Sequence, residues 1–229
     1  MCRTEVYQLV KKVETNLPPR LAAIQELDSK VGKWWNELPS SLDLSPDTIP
    51  LVPQDTLPLR LLVHVVYHQC LCALHSSIVP LFSWTSATNG YSYARQVSAQ
   101  IAYEHATAVS LLINSALQHS WDASRVPSFV GYAGYCSSAI LIPFIWCIQP
   151  DIRERARLNV LANLTMIRLL GRYWKFIGLL VSRILVCPLL QTLLFEQVAY
   201  IVVVFRVSMP AHFMLCVQND LFSSRTSQN

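Results

Sequence analysis

The chain has 229 residues, of which 52% are hydrophobic and only 14% charged, with Lys+Arg 18 against Asp+Glu 14. About 25% charged residues is usual for a soluble domain, so disorder is excluded and most of this surface must be hidden in a core, a partner or a bilayer. A net charge of +4 without any Lys/Arg block excludes a nucleic-acid groove built on a basic run.

In chain order, the first apolar stripe is Leu9, Val10, Val13 and Leu17, and a second is Leu21, Ile24, Leu27, Val31, Trp34 and Trp35. Steps of three and four predict two short helices, or one helix broken at Pro18-Pro19. Residues 38–58 carry Pro39, Pro46, Pro50, Pro53 and Pro58, which deny helix and sheet their backbone donors and predict a linker crossing a surface. From Leu59 to Phe82 an apolar run without alternation predicts a buried helix ending near Pro80, followed by a turn over 83–90.

Val97, Ile101, His105, Ala108, Leu112 and Leu117 predict an amphipathic helix to about His119. Pro127 opens the next, whose body from Phe129 to Cys147 is rich in small residues for close helix approach and is expected to kink at Pro143. Pro150-Asp151 starts a helix running to Trp174 with Val160, Leu161, Leu164 and Ile167 inward. With no hairpin pattern, the expectation is an all-α, multi-helix bundle-like domain.

Phe176 to Phe195 is almost wholly apolar and Val198 to Val207 follows, but Arg183, Pro188 and Glu196 each oppose a span at bilayer depth. The first twelve residues lack the uninterrupted apolar stretch of a secretory leader, and the seven cysteines, irregularly spaced and without CxxC, argue for reduced thiols and against a zinc module.

Catalytic templates fail: GxxxxGK[ST], GxGxxG and GxSxG are absent. Glu104-His105 diverge by about 100° on a helix and make a poor acid/base pair. His64, His68, Cys72 and His75 share one helical face, but an offset of eight spans about 12 Å, so one ion cannot take both His64 and Cys72. A metal site would need ligands from another helix, such as His105 or Cys136, with His64, His68 and His105 as the candidates; the expectation is no metal and a polar stripe satisfied by hydrogen bonds. The aromatics Trp34, Trp35, Tyr132, Tyr135, Trp146, Tyr173 and Trp174 either line a pocket or form plain core. A face of Trp34, His64, His68, Tyr132, Tyr135, Trp146 and Trp174 is the corresponding ligand or core candidate. Arg153, Arg155, Arg157 and Arg168 make a basic helix face suited to solvent or a protein contact.

Six segments occur in order: 34–42 (Trp34-Trp35-Asn36-Glu37-Leu38-Pro39-Ser40-Ser41-Leu42), 62–70 (Leu62-Val63-His64-Val65-Val66-Tyr67-His68-Gln69-Cys70), 127–132 (Pro127-Ser128-Phe129-Val130-Gly131-Tyr132), 136–147, 159–164 and 170–174. In order and spacing, over residues 20–176, they resemble the middle homology region of fungal binuclear zinc cluster transcription factors, the fungal-specific transcription factor domain. The resemblance implies an all-α regulatory domain, at 1–176, of a nuclear transcription regulator. Such a domain responds to a small-molecule effector and contacts other transcription-regulatory proteins, with no catalytic residues and no cofactor.

The six-cysteine cluster, basic linker and coiled coil of that family are absent, so specific DNA binding by this chain alone is not expected, and the likeness is to a truncated product. It stops after Phe176, which makes 177–229 an apolar tail of doubtful origin. The expectation is that Gly178 to Asn229 is translated intron or a shifted frame, which transcript reads across codon 178 test: continuous coding coverage with a homologous tail would sink it. The alternative function is a small membrane-associated protein anchored by 176–207.

Overall fold

A computed structural model describes residues 17–79, 92–119 and 122–186. Among them six α-helices pack against one another without a strand. They are α1 (Leu17–Asn36), α2 (Leu57–Ser76), α3 (Ser92–Leu117), α4 (Ser128–Leu141), α5 (Pro150–Gly171) and α6 (Lys175–Val186). The all-α expectation holds. The stripe at Leu9 to Val13, the turn over 83–90 and the tail beyond Val186 lie outside the described residues.

Proline sets several helix starts. Pro18-Pro19 stand in the first turn of α1, Pro58 in that of α2 and Pro150 in that of α5, while Pro127 caps α4. Proline there forfeits only an N–H that a helix start leaves unpaired. At Pro143 the missing donor acts inside an apolar run, and α4 gives way to a tight 3-10 segment, Ile142–Trp146, a sharper change than a kink.

Three helices form the centre: α3, α4 and α5 pack on one another, α2 covers α3 and α4, and α6 lies on α5 and α4. The seam is close because Gly131, Ala133, Gly134, Ser137 and Ser138 of α4 are buried. A Cβ at Gly134 would stand 3.3 Å from Cδ1 of Ile113, and one at Gly131 3.1 Å from Cγ2 of Ile177. Asn163 Nδ2 of α5 donates to Ser110 Oγ of α3 at 2.9 Å, and Ser110 Oγ donates to the Ala106 carbonyl at 2.8 Å. Each donor so engaged escapes the cost of dry, unpaired burial.

Helix α1 docks on α2 through a separate small core of Ile24, Leu27, Val31, Leu71, Leu74 and Ile78. The inward face of α3 is Ala99, Ala102, Ala106, Val109, Ile113 and Ala116, together with Leu112. It is rotated from the predicted stripe, leaving Val97 37% exposed. Bulk misled the prediction, since a tight seam selects alanine over the larger residues beside it. Helix α5 stops at Gly171, short of Trp174, and the predicted boundary at 176/177 falls inside α6, where Ile177 is buried in the main core.

The proline-rich segment 38–56 is a strap tied to the core. Two 3-10 turns, Ser40–Leu42 and Ile49–Leu51, shape it, and Leu44 and Ile49 are buried among the main-core residues. The prolines keep the segment out of α-helix and sheet, but instead of crossing a surface as a linker it is held down by two buried apolar side chains, and the last two residues of the expected stretch, Leu57 and Pro58, begin α2.

Candidate functional site

The strap, the end of α1 and the first half of α2 border an open cleft of about 530 Å³, lined among others by Trp35, Asp43, Leu44, Val52, Arg60 and His64. Its outer wall holds itself in shape. Ser45 N–H donates to Thr48 Oγ1 at 2.8 Å, the two hydroxyls bond each other at 3.1 Å, and Thr48 Oγ1 donates to the Ser45 carbonyl at 3.1 Å. His64 fastens the wall to α2, its Nε2 lying 3.0 Å from the Leu42 carbonyl oxygen. A carbonyl only accepts, so Nε2 carries the proton and a neutral His64 keeps its lone pair on Nδ1. Arg60 Nη1 donates to the Asp43 carbonyl at 3.4 Å, a long bond.

Behind the cleft is a cluster of rings from three helices. Trp35 of α1 stacks on Tyr67 of α2 with centroids 4.0 Å apart and planes 18° apart, and meets the His64 ring edge-on at 4.7 Å. Tyr67 contacts His68 and, edge-on, His105 of α3 at 5.7 Å. His68 and His105 face each other with their Nδ1 atoms 2.7 Å apart. One Nδ1 must donate and the other accept, so two neutral rings here hold opposite tautomers. Helical spacing builds this: steps of three and four put His64, Tyr67 and His68 on adjoining rows of α2.

Burial governs protonation throughout. The pKa of His68 is pushed down to about 3, chiefly by burial and then by neighbouring His105 and His64. Burial also lowers His64, against the Leu42 bond and the nearby Asp43 charge, and lowers His105 and His75. His75 bonds Ser98 Oγ through Nδ1 at 3.2 Å, with Nε2 3.9 Å from an Asp28 carboxylate oxygen. All four rings are therefore neutral near pH 7. Cys72, fully buried and donating to the Ala102 carbonyl at 3.7 Å, and Cys136 have thiols pushed up by burial, the opposite of nucleophile activation.

Of the metal candidates, the structure joins His68 to His105 but engages His64 with the strap. Among the described residues no group of three or more His, Cys, Asp or Glu side chains is placed to hold an ion. Glu104 is exposed, while His105 is turned toward α2.

The seven-residue ligand or core face divides. Trp34, 38% exposed, touches Trp35. Tyr135 and Trp146 are half-buried against the main core. Tyr132 lies beside Phe129, and Trp174 donates its indole N–H to the Val126 carbonyl at 3.0 Å, tying the turn after α5 to the segment that leads into α4. His64 is the member that lines the cleft. Asp43 escaped the sequence reading because the proline-rich stretch offers no periodicity to follow, whereas Arg60 and Tyr67 escaped although both stand in the segment read as helical, Tyr67 three residues from His64 and Arg60 four before it.

The basic face of α5 is solvated: Arg157 pairs with Glu154 at 2.7 Å, and Arg155 donates to the Asp151 carbonyl at 3.3 Å. Helix α2 and the stretch Ser128–Trp146 are long and apolar enough to cross a membrane, yet half or more of each is buried against other helices. Comparison with protein-family models, with curated proteins and with solved structures gives no match to the chain.

Proposed function

We propose that the chain is an effector-responsive regulatory domain of a nuclear transcription factor, of the kind found in the middle homology region of fungal zinc cluster regulators. On this reading it acts by binding a small molecule and contacting other regulatory proteins, without covalent chemistry. The observation that supports it best is how the segments carrying the resemblance pair in space. Segments 34–42 and 62–70 meet through the Trp35–Tyr67 stack and the His64–Leu42 bond, at the wall of the cleft. Segments 127–132 and 170–174 adjoin where Gly131 meets Leu170. Motifs that assemble one cleft and one corner of a bundle make better sense as parts of a single domain than as coincidences of spacing.

The test is to join the chain to a heterologous DNA-binding module in fungal cells carrying a reporter. The expected result is a change in reporter output, altered again by Trp35→Ala. A fusion that reaches the nucleus, occupies its sites and leaves the reporter unchanged removes the reading.

One observation favours the membrane alternative. Tyr173, Phe176 and Leu179 are 52%, 56% and 65% exposed, an apolar surface at the start of the 176–207 anchor. Carbonate extraction separates the two readings: non-aggregated protein that stays with the membranes supports the anchor.

A further inference from the structure

The strap cleft has a more specific chemistry than effector binding in general. Its hydroxyls at Ser45 and Thr48 are engaged in the strap's own bonds, which leaves the Ser40 hydroxyl and His64 as neutral polar groups and two charged side chains, Asp43 and Arg60. They line the same space without forming an ion pair: among the described residues Arg60's hydrogen bond is the long one to the Asp43 main chain, and the Asp43 carboxylate joins no ion pair. The apolar part of the lining includes Leu44, Leu51, Val52 and Trp35. Its volume of about 530 Å³ is that of an ordinary small-molecule site.

We propose that this cleft binds a small zwitterion with an apolar body, of the α-amino acid class, its carboxylate on Arg60, its ammonium on Asp43 and its side chain against Leu44, Val52 and Trp35. Arg60 supplies a planar fork of donors suited to a carboxylate, and Asp43 supplies acceptors for an ammonium. The pair also discriminates. A dicarboxylate or phosphate ester would set a second negative charge against Asp43, and a diamine a second positive charge against Arg60. A neutral apolar molecule would cover both charges without partnering either. A zwitterion alone among these classes answers both. This assignment rests on the effector reading above and names the ligand class.

The test is calorimetric titration of the full chain with L-leucine and with L-tryptophan, repeated with tryptamine and indole-3-propionate, which each lack one of the two charges. Saturable binding of at least one amino acid is expected, weakened about tenfold or more by removal of either ligand charge or by Arg60→Gln or Asp43→Asn. Arg153→Gln, on the exposed face of α5, should leave it unchanged, and circular dichroism confirms that each variant is folded. Absence of saturable binding by both amino acids overturns the assignment, as does binding indifferent to Arg60→Gln or equal for the single-charge analogues. Binding with a silent reporter removes the regulatory reading and leaves the cleft assignment standing; a reporter response with no amino-acid binding does the reverse.

Discussion

Two seams run through this bundle, one fully buried and one mostly half-buried, and they are made of different material. Where α3, α4 and α5 meet, glycine, alanine and serine let backbones approach, and large residues such as Met166, Ile167 and Leu170 are fully buried beside them. Beside the small apolar core that joins α1 to α2, the place where α1, α2 and α3 meet is made by Trp35, Tyr67 and the rings of His64, His68 and His105. The first seam is held by volume and is indifferent to protons; the second is held by ring geometry and by histidines that must stay neutral. Their responses to mutation and to pH should therefore separate cleanly.

The largest effect is expected at the first seam. Leu170→Ala leaves a cavity where nothing was exposed, and should cost about 2–5 kcal/mol, read as a lower urea midpoint with unchanged slope. An equal loss from Trp34→Ala, at the half-exposed rim of the second seam, would show that the two seams are not energetically distinct.

Acid comes next and acts on the second seam. A histidine whose folded pKa lies below its ordinary 6.5 binds fewer protons folded than unfolded, so its stabilisation is fully present above about pH 6.5 and is lost as pH falls toward the folded value near 3. For His68 alone the loss by pH 5 is about 2 kcal/mol. His64, His75 and His105 shift in the same direction, so the acid limb should be steep. His68→Phe should flatten it in urea titrations from pH 7.5 to 5, and a limb as steep as the parent's would rule out His68 as its source.

Smaller effects sharpen the contrast. Trp174→Phe removes the indole bond to Val126 and should cost about 1 kcal/mol without changing the pH dependence. Gly134→Ala sets a methyl 3.3 Å from the flexible end of Ile113, while gaining about 1 kcal/mol of helix propensity. The net change should lie within about 0.5 kcal/mol. A loss well beyond that would mean that Ile113 cannot yield and that the seam is packed to its limit.

Much of the helical architecture was legible in the sequence because its signals are local. Pro127 and Pro150 announce helix starts, the apolar periodicities place the helices between them, and the lack of alternation argues against sheets, whereas Pro18-Pro19 and Pro58, read as a break and as linker, turn out to stand in the first turns of α1 and α2. What was not legible depends on how helices rotate against each other. The His68–His105 contact joins residues 37 apart, and no spacing within either helix reveals it. The α3 register was missed because weighting bulk overlooks alanine in a close seam. The cleft was half legible: Trp35, Arg60 and His64 stood in segments read as helical, whereas Asp43 entered only once the strap was seen to fold back on α2.

The strap's composition bears on how fast anything could enter the cleft. Four prolines within Pro39 to Pro53 restrict the unfolded chain, and Leu44 and Ile49 hold the folded segment at two points. The entropy of ordering this wall is thus spent during folding, and an incoming ligand need not meet it again. Association should accordingly follow a single exponential whose rate rises linearly with ligand concentration, without a slow step of loop closure.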